Sequence, residues 1–222
     1  MTKERFYTPT EVRSLYDDII PAYQAAFADE PWNEVSKCID VRQRCIGGLS
    51  NVAIGSICGT CALQPTRPAY ESDELVRRFD ALGTSRPTAW YTEDTTDGLA
   101  VAAVAWQGNA RMIATEKYTD VPLMTDWLDQ QFDGQSIAWL DEVFANRQVR
   151  PRGNLRNFGS FVTGLANRLD SPLVAYRTIA PQMTEAALRD FGSDAQVLRR
   201  NDEVPDRRDF VIITINSQEG AV

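Results

Sequence analysis

Two spacings of apolar residues along the chain predict its secondary structure. Apolar residues three and four positions apart predict helices at 8–28, 71–82, 122–132, 154–169 and 184–191. Continuous or alternating apolar runs predict strands at 88–92, 99–107, 137–144, 172–179, 195–200 and 210–215, and a first strand near Phe6 is left open. With 222 residues, of which 43% are apolar, the chain can bury one core, so residues 1–222 are predicted to form a single α/β domain.

The strand predicted at 99–107 has the sequence LAVAAVAWQ and is apolar almost throughout. Such a run is typical of a central strand that is covered on both faces. The turn-rich segment 93–98 joins it to the strand at 88–92, and the three segments together predict a β-hairpin.

All four cysteines, Cys38, Cys45, Cys58 and Cys61, lie within residues 33–69, a segment with few periodic signals. Two thiolates separated by two residues, as in the run C-G-T-C, can reach one metal ion from a single tight turn, and tetrahedral Zn²⁺ takes four such ligands. We therefore interpret 33–69 as an insertion held by structural zinc, because it is too short to bury its own core. Disulfides, or redox use of Cys58 and Cys61, are the alternatives. The insertion could shape a neighbouring site or form a homodimer contact.

The composition excludes several classes of function. A formal net charge of −8 disfavours binding to nucleic acid, which needs clustered Lys and Arg, whereas an acidic surface attracts cationic amines or basic peptides. The absence of histidine excludes a His base, a Ser-His-Asp triad and His metal ligands. No run approaches the roughly 20 apolar residues of a membrane helix, and MTKERFYTPTE lacks a signal-peptide core. The expectation is a cytoplasmic protein without a membrane partner.

Residues 136–169 are predicted to form a strand, a basic turn and a helix, and this unit carries the main candidate site. Arg150, Arg152 and Gly153 lie in the turn, where the helix predicted at 154–169 begins. A helix start offers unpaired backbone N–H groups and the positive end of the helix dipole. The unit therefore predicts a site for a phosphate-bearing ligand.

The turn also resembles a known signature. The run RPRGNL at 150–155 is similar to the Gln/Arg-x-x-Gly-x-Gly/Ala motif of the GCN5-related N-acetyltransferases, in which this strand-turn-helix grips the pyrophosphate of acetyl-CoA. Arg150 and Gly153 agree with the motif, while Leu155 replaces its small last residue and Pro151 removes one backbone N–H. The predicted order of helices and strands is similar to that of the family over nearly the whole chain outside the cysteine segment.

The resemblance implies a fold, an activity and a cofactor. The expected fold is α/β, with a mixed, mostly antiparallel central sheet flanked by helices and a small zinc-binding insertion. The expected activity is direct transfer of an acyl group from acetyl-CoA, or another acyl-CoA, to an amine of a small molecule or basic peptide. Backbone N–H groups of Phe144 and Ala145 are expected to hold the thioester. The residues expected to contact the pyrophosphate are Arg150, Arg152, Gly153, Asn154 and Leu155.

Two carboxylates on the strand at 137–144 are the candidate catalytic groups. A protonated amine must lose a proton before it attacks, and strand alternation points Asp141 and Glu142 to opposite faces. In polyamine-type relatives the base lies four positions before a marker residue that corresponds to Ala145, which implies Asp141. Glu142 takes its place if a β-bulge changes the facing. Either carboxylate could instead pair with an arginine in a structural role.

The resemblance supplies no tyrosine as general acid. Many relatives place a tyrosine in the helix after the next strand, where it protonates the leaving thiolate, but that position here is Leu188. Tyr176 lies earlier, within the strand, and is expected to pack. Water, or no acid at all, would then serve. A second hypothesis is therefore a non-catalytic acetyltransferase-like module that binds a partner through the zinc insertion.

Overall fold

The computed structural model describes residues 2–28, 32–38, 49–62, 65–119, 121–146, 149, 155–200 and 202–215. The strands in this part of the chain, numbered β1 to β10, are Lys3–Tyr7, Ser36–Cys38, Leu49–Ser50, Thr66–Pro68, Thr88–Thr95, Gly98–Gly108, Ile137–Ala145, Leu173–Thr178, Ala195–Leu198 and Asp209–Thr214. The helices, numbered α1 to α7, are Pro9–Val12, Tyr16–Ala28, Ser72–Ser85, Ala110–Lys117, Pro122–Phe132, Phe158–Arg168 and Pro181–Phe191. Short 3₁₀ segments at Arg13–Leu15 and Gly192–Asp194 join α1 to α2 and α7 to β9.

The main sheet of the described chain has seven strands in the order β1-β5-β6-β7-β8-β10-β9. All neighbouring pairs are antiparallel except β7 and β8, which are parallel. The strand left open near Phe6 is β1, which pairs with β5, and the predicted hairpin is β5 and β6. The prediction of a mixed, mostly antiparallel sheet is confirmed.

Helices cover both faces of this sheet. On one face α6 and α7 pack against it, and Phe158 and Phe161 are buried at their contact with the strands. On the opposite face α2 and α3 contribute Tyr23 and Phe79, and α4 and α5 lie beside them. Because both faces are covered, β6 is buried along nearly its whole length, which accounts for its continuous apolar sequence.

The sheet divides between β7 and β8. Residues 137–139 of β7 pair with 173–175 of β8, and beyond these positions no further pairing joins the two described strands. On its other side β7 stays paired with β6 as far as Ala145. Backbone N–H and C=O groups on the facing edges are thus left outside the sheet ladder, and the gap can receive a polar ligand.

A second, small sheet lies within the predicted insertion at 33–69, with the strand order β3-β2-β4. Lys37 and Arg67 of this sheet form ion pairs with Glu74 of α3. Much of its apolar surface faces solvent, including Leu49, Val52, Ile54 and Ile57. So small a sheet buries little apolar surface, which is the property that led us to expect metal in this segment.

The structure corrects the bounds of several predicted helices. The helix predicted at 8–28 is divided into α1 and α2, and Thr8 and Glu11 cap α1 with reciprocal hydrogen bonds. The helix predicted at 154–169 begins only at Phe158. The sequence reasoning missed α4, which Asn109 caps.

Candidate active site

A cavity of about 290 Å³ lies where β7 and β8 diverge. It is lined by residues 139–143 of β7, by the end of β8 and by the start of α7. Its other lining residues include four aromatic side chains of α2 and the segments near it, Tyr23, Phe27, Trp32 and Tyr70. Small-molecule sites commonly have volumes of about 300–1,000 Å³, so this cavity suits a small ligand or the end of a longer one.

A β-bulge on β7 determines how the two candidate carboxylates face. Glu142 pairs with Val104 of β6 and Leu140 pairs with Ala105, which leaves Asp141 as the extra residue on β7. Both carboxylates consequently contact the same side chain, Arg78 of α3. The prediction that strict alternation sends Asp141 and Glu142 to opposite faces is wrong, because the bulge interrupts the alternation.

Asp141 is held by three side chains from different elements. Lys117 of α4 forms an ion pair with its Oδ1, and Trp139 Nε1 donates a hydrogen bond to the same oxygen at 3.2 Å. Arg78 Nη2 lies 3.7 Å from its Oδ2. With only 1% of its side chain exposed, Asp141 is a buried, ion-paired carboxylate. Its negative charge is compensated, which favours a positioning role over proton transfer.

Glu142 has a different environment. It forms an ion pair with Arg78, which also donates a hydrogen bond to the hydroxyl of Tyr23 at 3.1 Å. Burial raises the pKa of Glu142, although the charge of Arg78 opposes this effect. A carboxylate with a raised pKa accepts a proton more readily near neutral pH. Glu142, the residue expected to act if a bulge is present, is thus the carboxylate of the pair whose pKa is raised, and it remains paired with Arg78.

The aromatic side of the cavity is a packed cluster. The ring centroids of Tyr23 and Phe27 are 4.4 Å apart, and those of Tyr23 and Tyr70 are 5.1 Å apart. The ring centroids of Trp32 and Phe27 are 5.4 Å apart, and the Tyr70 hydroxyl donates a hydrogen bond to Glu34. These rings offer apolar surface to a bound molecule.

Two arginines line the same cavity from the β8 and β10 side of the sheet. Arg177 is the penultimate residue of β8, and its guanidinium carbon lies 4.8 Å from the ring centroid of Tyr118. Arg208 directly precedes β10, and its guanidinium carbon lies 5.6 Å from the ring centroid of Trp32. The cavity thus combines carboxylates, aromatic rings and cations.

The residues predicted to bind the cofactor are only partly within the described chain. Arg150, Arg152, Gly153 and Asn154 lie outside the described residues. Leu155 is described, and it precedes α6 instead of lying in its first turn. Its side chain is buried in the core and its carbonyl oxygen accepts a hydrogen bond from Arg189 at 2.9 Å. In the first turn of α6, the Gly159 N–H donates to Asp190 at 2.8 Å.

The backbone of β7 distinguishes the two predicted amides. The Asn146 N–H donates to the carbonyl of Ala100 on β6 at 2.8 Å. Because successive N–H groups of a strand point to opposite sides, the N–H of Phe144 also points towards β6. The N–H groups of Ala145 and Val143 point the other way, towards the gap. Of the two amides predicted to hold a thioester, Ala145 has the required direction and Phe144 does not.

The position that the resemblance assigns to the general acid carries leucine, not tyrosine. Leu188 is 44% exposed and does not line the cavity. Tyr176 does line it, but its hydroxyl donates to the carbonyl oxygen of Met183 at 3.0 Å, and burial raises its pKa above the usual value. Tyr176 therefore packs as the sequence indicates.

Three of the four cysteines are brought together. The sulfur atoms of Cys38, Cys58 and Cys61 lie within 4.8 Å of one another, and Cys45 lies outside the described residues. The sulfurs of Cys38 and Cys61 are 3.6 Å apart, far beyond the 2.05 Å or so of a disulfide bond. Four thiolates about 2.3 Å from a tetrahedral zinc ion would be separated by nearly this distance. The described cysteines therefore fit a metal centre.

Comparison with known proteins identifies the fold but not a family. No family model matches the chain, and no curated protein matches it. The chain is similar in structure to a polyamine N-acetyltransferase of Drosophila melanogaster, with a TM-score of 0.52 and 13% identity over 96% of this chain and 100% of that one. It is also similar to FeeM, an N-acyl amino acid synthase from uncultured soil microbes, with a TM-score of 0.50 and 9% identity over 97% and 91%. The fold is thus acetyltransferase-like.

None of the described helices is both long and apolar enough to cross a membrane.

Sequence reasoning missed the basic side chains of the site. Arg78 lies between Leu75 and Phe79, two buried residues on the inward side of α3, and an arginine in that position was a detectable signal. Lys117, Arg177 and Arg208 had no such signal, because their approach to the cavity depends on how β8, β10 and α4 pack.

Proposed function

We propose that this protein is a CoA-dependent N-acyltransferase that transfers an acetyl group, or another acyl group, to a primary amine. The observation that carries the proposal is the gap between β7 and β8, with a cavity and a raised-pKa carboxylate at its edge. The gap suits an acyl thioester, and the carboxylate suits the proton that an ammonium group must lose.

In the proposed reaction, Glu142 accepts a proton from the acceptor ammonium. The freed amine attacks the thioester carbonyl carbon, the attacking nitrogen gives its second proton to water, the C–S bond breaks, and CoA leaves as a thiolate that takes a proton from water. The N–H groups of Ala145 and Val143 are directed to stabilise the negative charge that develops on the carbonyl oxygen. Asp141, fixed by Lys117, holds the positive charge of Arg78 beside Glu142.

The acceptor is proposed to be a small molecule. By their names, the two structurally similar proteins act on a polyamine-type acceptor and on an amino acid. A small cavity lined by aromatic rings agrees with acceptors of this size, and the amine terminus of a basic peptide is the alternative.

Cys38, Cys45, Cys58 and Cys61 are proposed to hold one structural zinc ion. The support is the approach of three sulfurs to one another and the short C-G-T-C turn, in which the Ala62 N–H donates to the Cys58 carbonyl at 2.8 Å. Zinc bound by four thiolates has no open position, so it would stabilise the small sheet and take no part in acyl transfer.

Acetyl-CoA binding tests the proposed cofactor site. The double variant Arg150→Ala with Gly153→Asp removes one cation and places a carboxylate where phosphate is expected. We expect micromolar binding by the wild-type protein and binding at least about tenfold weaker in the variant, measured by titration calorimetry. Arg77→Ala is the matched control, because Arg77 is exposed on α3 and lines no part of the cavity. Absence of binding by folded wild-type protein would instead favour a non-catalytic module.

A further inference from the structure

The charges that line the cavity do not balance within it. Its described lining residues carry three carboxylates, Glu34, Asp141 and Glu142, and four cations, Arg78, Lys117, Arg177 and Arg208. Asp141 and Glu142 compensate Arg78 and Lys117, as described above. The third carboxylate, Glu34, accepts a hydrogen bond from Tyr70, and the other two cations form no ion pair with a described carboxylate of the cavity lining, although the protein as a whole has a net charge of −8.

Arg208 contacts an aromatic ring rather than a carboxylate. It forms no ion pair with any described carboxylate, and its contact is with Trp32. An aromatic ring attracts the charge but supplies little as an acceptor for the five N–H donors of a guanidinium group. Within the described chain these donors reach no carboxylate, and Arg208 lines the cavity that a ligand would occupy.

Arg177 forms an ion pair, but with a carboxylate outside the cavity lining. Its partner is Asp206, and the separation of 3.9 Å between Nη1 and Oδ2 is too long for a hydrogen bond. The guanidinium group of Arg177 also lies over the ring of Tyr118. The β8 and β10 side of the cavity therefore presents two guanidinium groups, neither of which forms a hydrogen bond to a described carboxylate.

We propose that the acceptor carries a carboxylate in addition to its amine, and that it is an α-amino acid with an apolar or aromatic side chain. This inference rests on the proposed function. The amine would lie at Glu142, the carboxylate would bind Arg208 and Arg177, and the side chain would contact the rings of Tyr23 and Tyr70. Arginine binds a carboxylate through two parallel hydrogen bonds, which fixes the orientation of the acceptor as well as its charge.

Matched pairs of acceptors test this proposal. L-phenylalanine, L-leucine and L-methionine are each compared with their carboxamides in acetyl transfer from acetyl-CoA, followed by release of the CoA thiol. The members of a pair share the amine and the side chain and differ in charge at the carboxyl end. We expect kcat/KM to be at least about tenfold higher for the acids. The comparison is conservative, because the amine of an amide loses its proton more easily than that of the acid.

Variants assign the preference to the cations. Arg208→Gln and Arg177→Gln are each expected to lower kcat/KM for the acids about tenfold or more, with little change for the amides and none in the Kd of acetyl-CoA. Arg207→Gln is the control, because the neighbouring Arg207 is exposed and does not line the cavity.

The outcomes separate this inference from the function on which it rests. Equal use of acids and amides by the wild-type protein would refute the carboxylate site and leave the N-acyltransferase function standing. Weaker acetyl-CoA binding in the Arg208 and Arg177 variants, with acid preference retained, would assign these cations to the cofactor and also refute the inference. If no acid, amide or polyamine accepts an acetyl group, the proposed function itself is wrong.

Discussion

Replacing Glu142 with glutamine is expected to lower kcat for acetyl transfer by a factor of about 10² to 10⁴, the range typical of a lost general base. Glutamine keeps the size of the side chain and can still accept a hydrogen bond from Arg78, but it cannot take the proton from an ammonium group. The Kd of acetyl-CoA should be unchanged, since the gap between β7 and β8 is formed by backbone.

The pH dependence gives this prediction a second readout. Burial raises the pKa of Glu142 above 4.5, and a base must be deprotonated to act. The kcat/KM of the wild-type enzyme should therefore rise with pH through an apparent pKa above 4.5. This rising limb of the pH profile should be absent in Glu142→Gln.

The same shift makes a prediction for stability, with the sign fixed by proton binding. In the window between 4.5 and its raised pKa, folded Glu142 binds more protons than the unfolded chain. The free energy of unfolding contributed by this group should therefore fall as the pH rises through that window, and Glu142→Gln should remove the fall. Urea titrations of both proteins across the acidic range measure the difference.

One further variant, with a control, decides whether Glu142 or Asp141 is the base. Glu116→Gln is the control, because the Glu116 side chain is about half exposed, pairs with Arg86 and lies outside the cavity. Asp141→Asn should lower activity but keep the rising pH limb. The opposite pattern, in which Asp141→Asn loses that limb and Glu142→Gln keeps it, would reassign the base to Asp141.

The difference between these two carboxylates shows what the sequence can predict. The apolar runs of β5, β6 and β7 were sufficient to place the strands, because a strand covered on both faces needs continuous apolar residues. The bulge at Asp141 has no such signal, since one extra residue on a strand is set by its pairing with β6. The sequence thus identified both carboxylates but could not decide which face each one occupies.

At the proposed cofactor site, too, the sequence predicts some features and misses others. A basic turn followed by apolar residues three and four positions apart correctly predicts a helix after β7. The predicted start of this helix is too early. Leu155, which was expected within that helix, lies before Phe158 and is buried in the core. The spacing of apolar residues does not distinguish a helical turn from a packed loop, because both bury a side chain every few positions.

Charge pairing was the least predictable feature. Arg78 reaches Glu142 across 64 positions of sequence, and Arg208, just before β10, reaches Trp32. The place of Arg78 among buried residues of α3 is a local signal, but its partner is not, because such contacts depend on how helices pack across the strands. The inference that the acceptor carries a carboxylate therefore required the structure.

Removal of zinc is expected to have the second large effect, because the small sheet that the metal would stabilise is connected to the cavity. The sheet buries little apolar surface, so the metal would supply most of the free energy that holds it together; structural zinc sites contribute about 10–16 kcal/mol in small isolated domains. Lys37 and Arg67 connect the sheet to Glu74, and Glu74 lies one helical turn before Arg78 on α3. Leu49 of the same sheet also lines the cavity.

The expected results follow from this connection. The protein as purified should contain one zinc ion per chain by elemental analysis, and Cys58→Ser should lose it. The variant should unfold at lower urea concentration, and the KM for the acceptor should rise several-fold while the Kd of acetyl-CoA changes little, because the acyl-CoA gap lies between β7 and β8. Thr60→Ala is the matched control, since the exposed Thr60 side chain lies in the same C-G-T-C turn.

Cobalt substitution separates metal binding from the two alternatives for the cysteines. Tetrahedral cobalt with thiolate ligands has strong visible absorption, which should appear in the wild type and in Thr60→Ala but not in Cys58→Ser. Disulfides would instead give a metal-free protein that reducing agents destabilise, and redox use of Cys58 and Cys61 would give a metal-free protein with a reversible dithiol. A metal-free wild type would overturn the zinc site, and the stability of the small sheet would then depend on its ion pairs with α3.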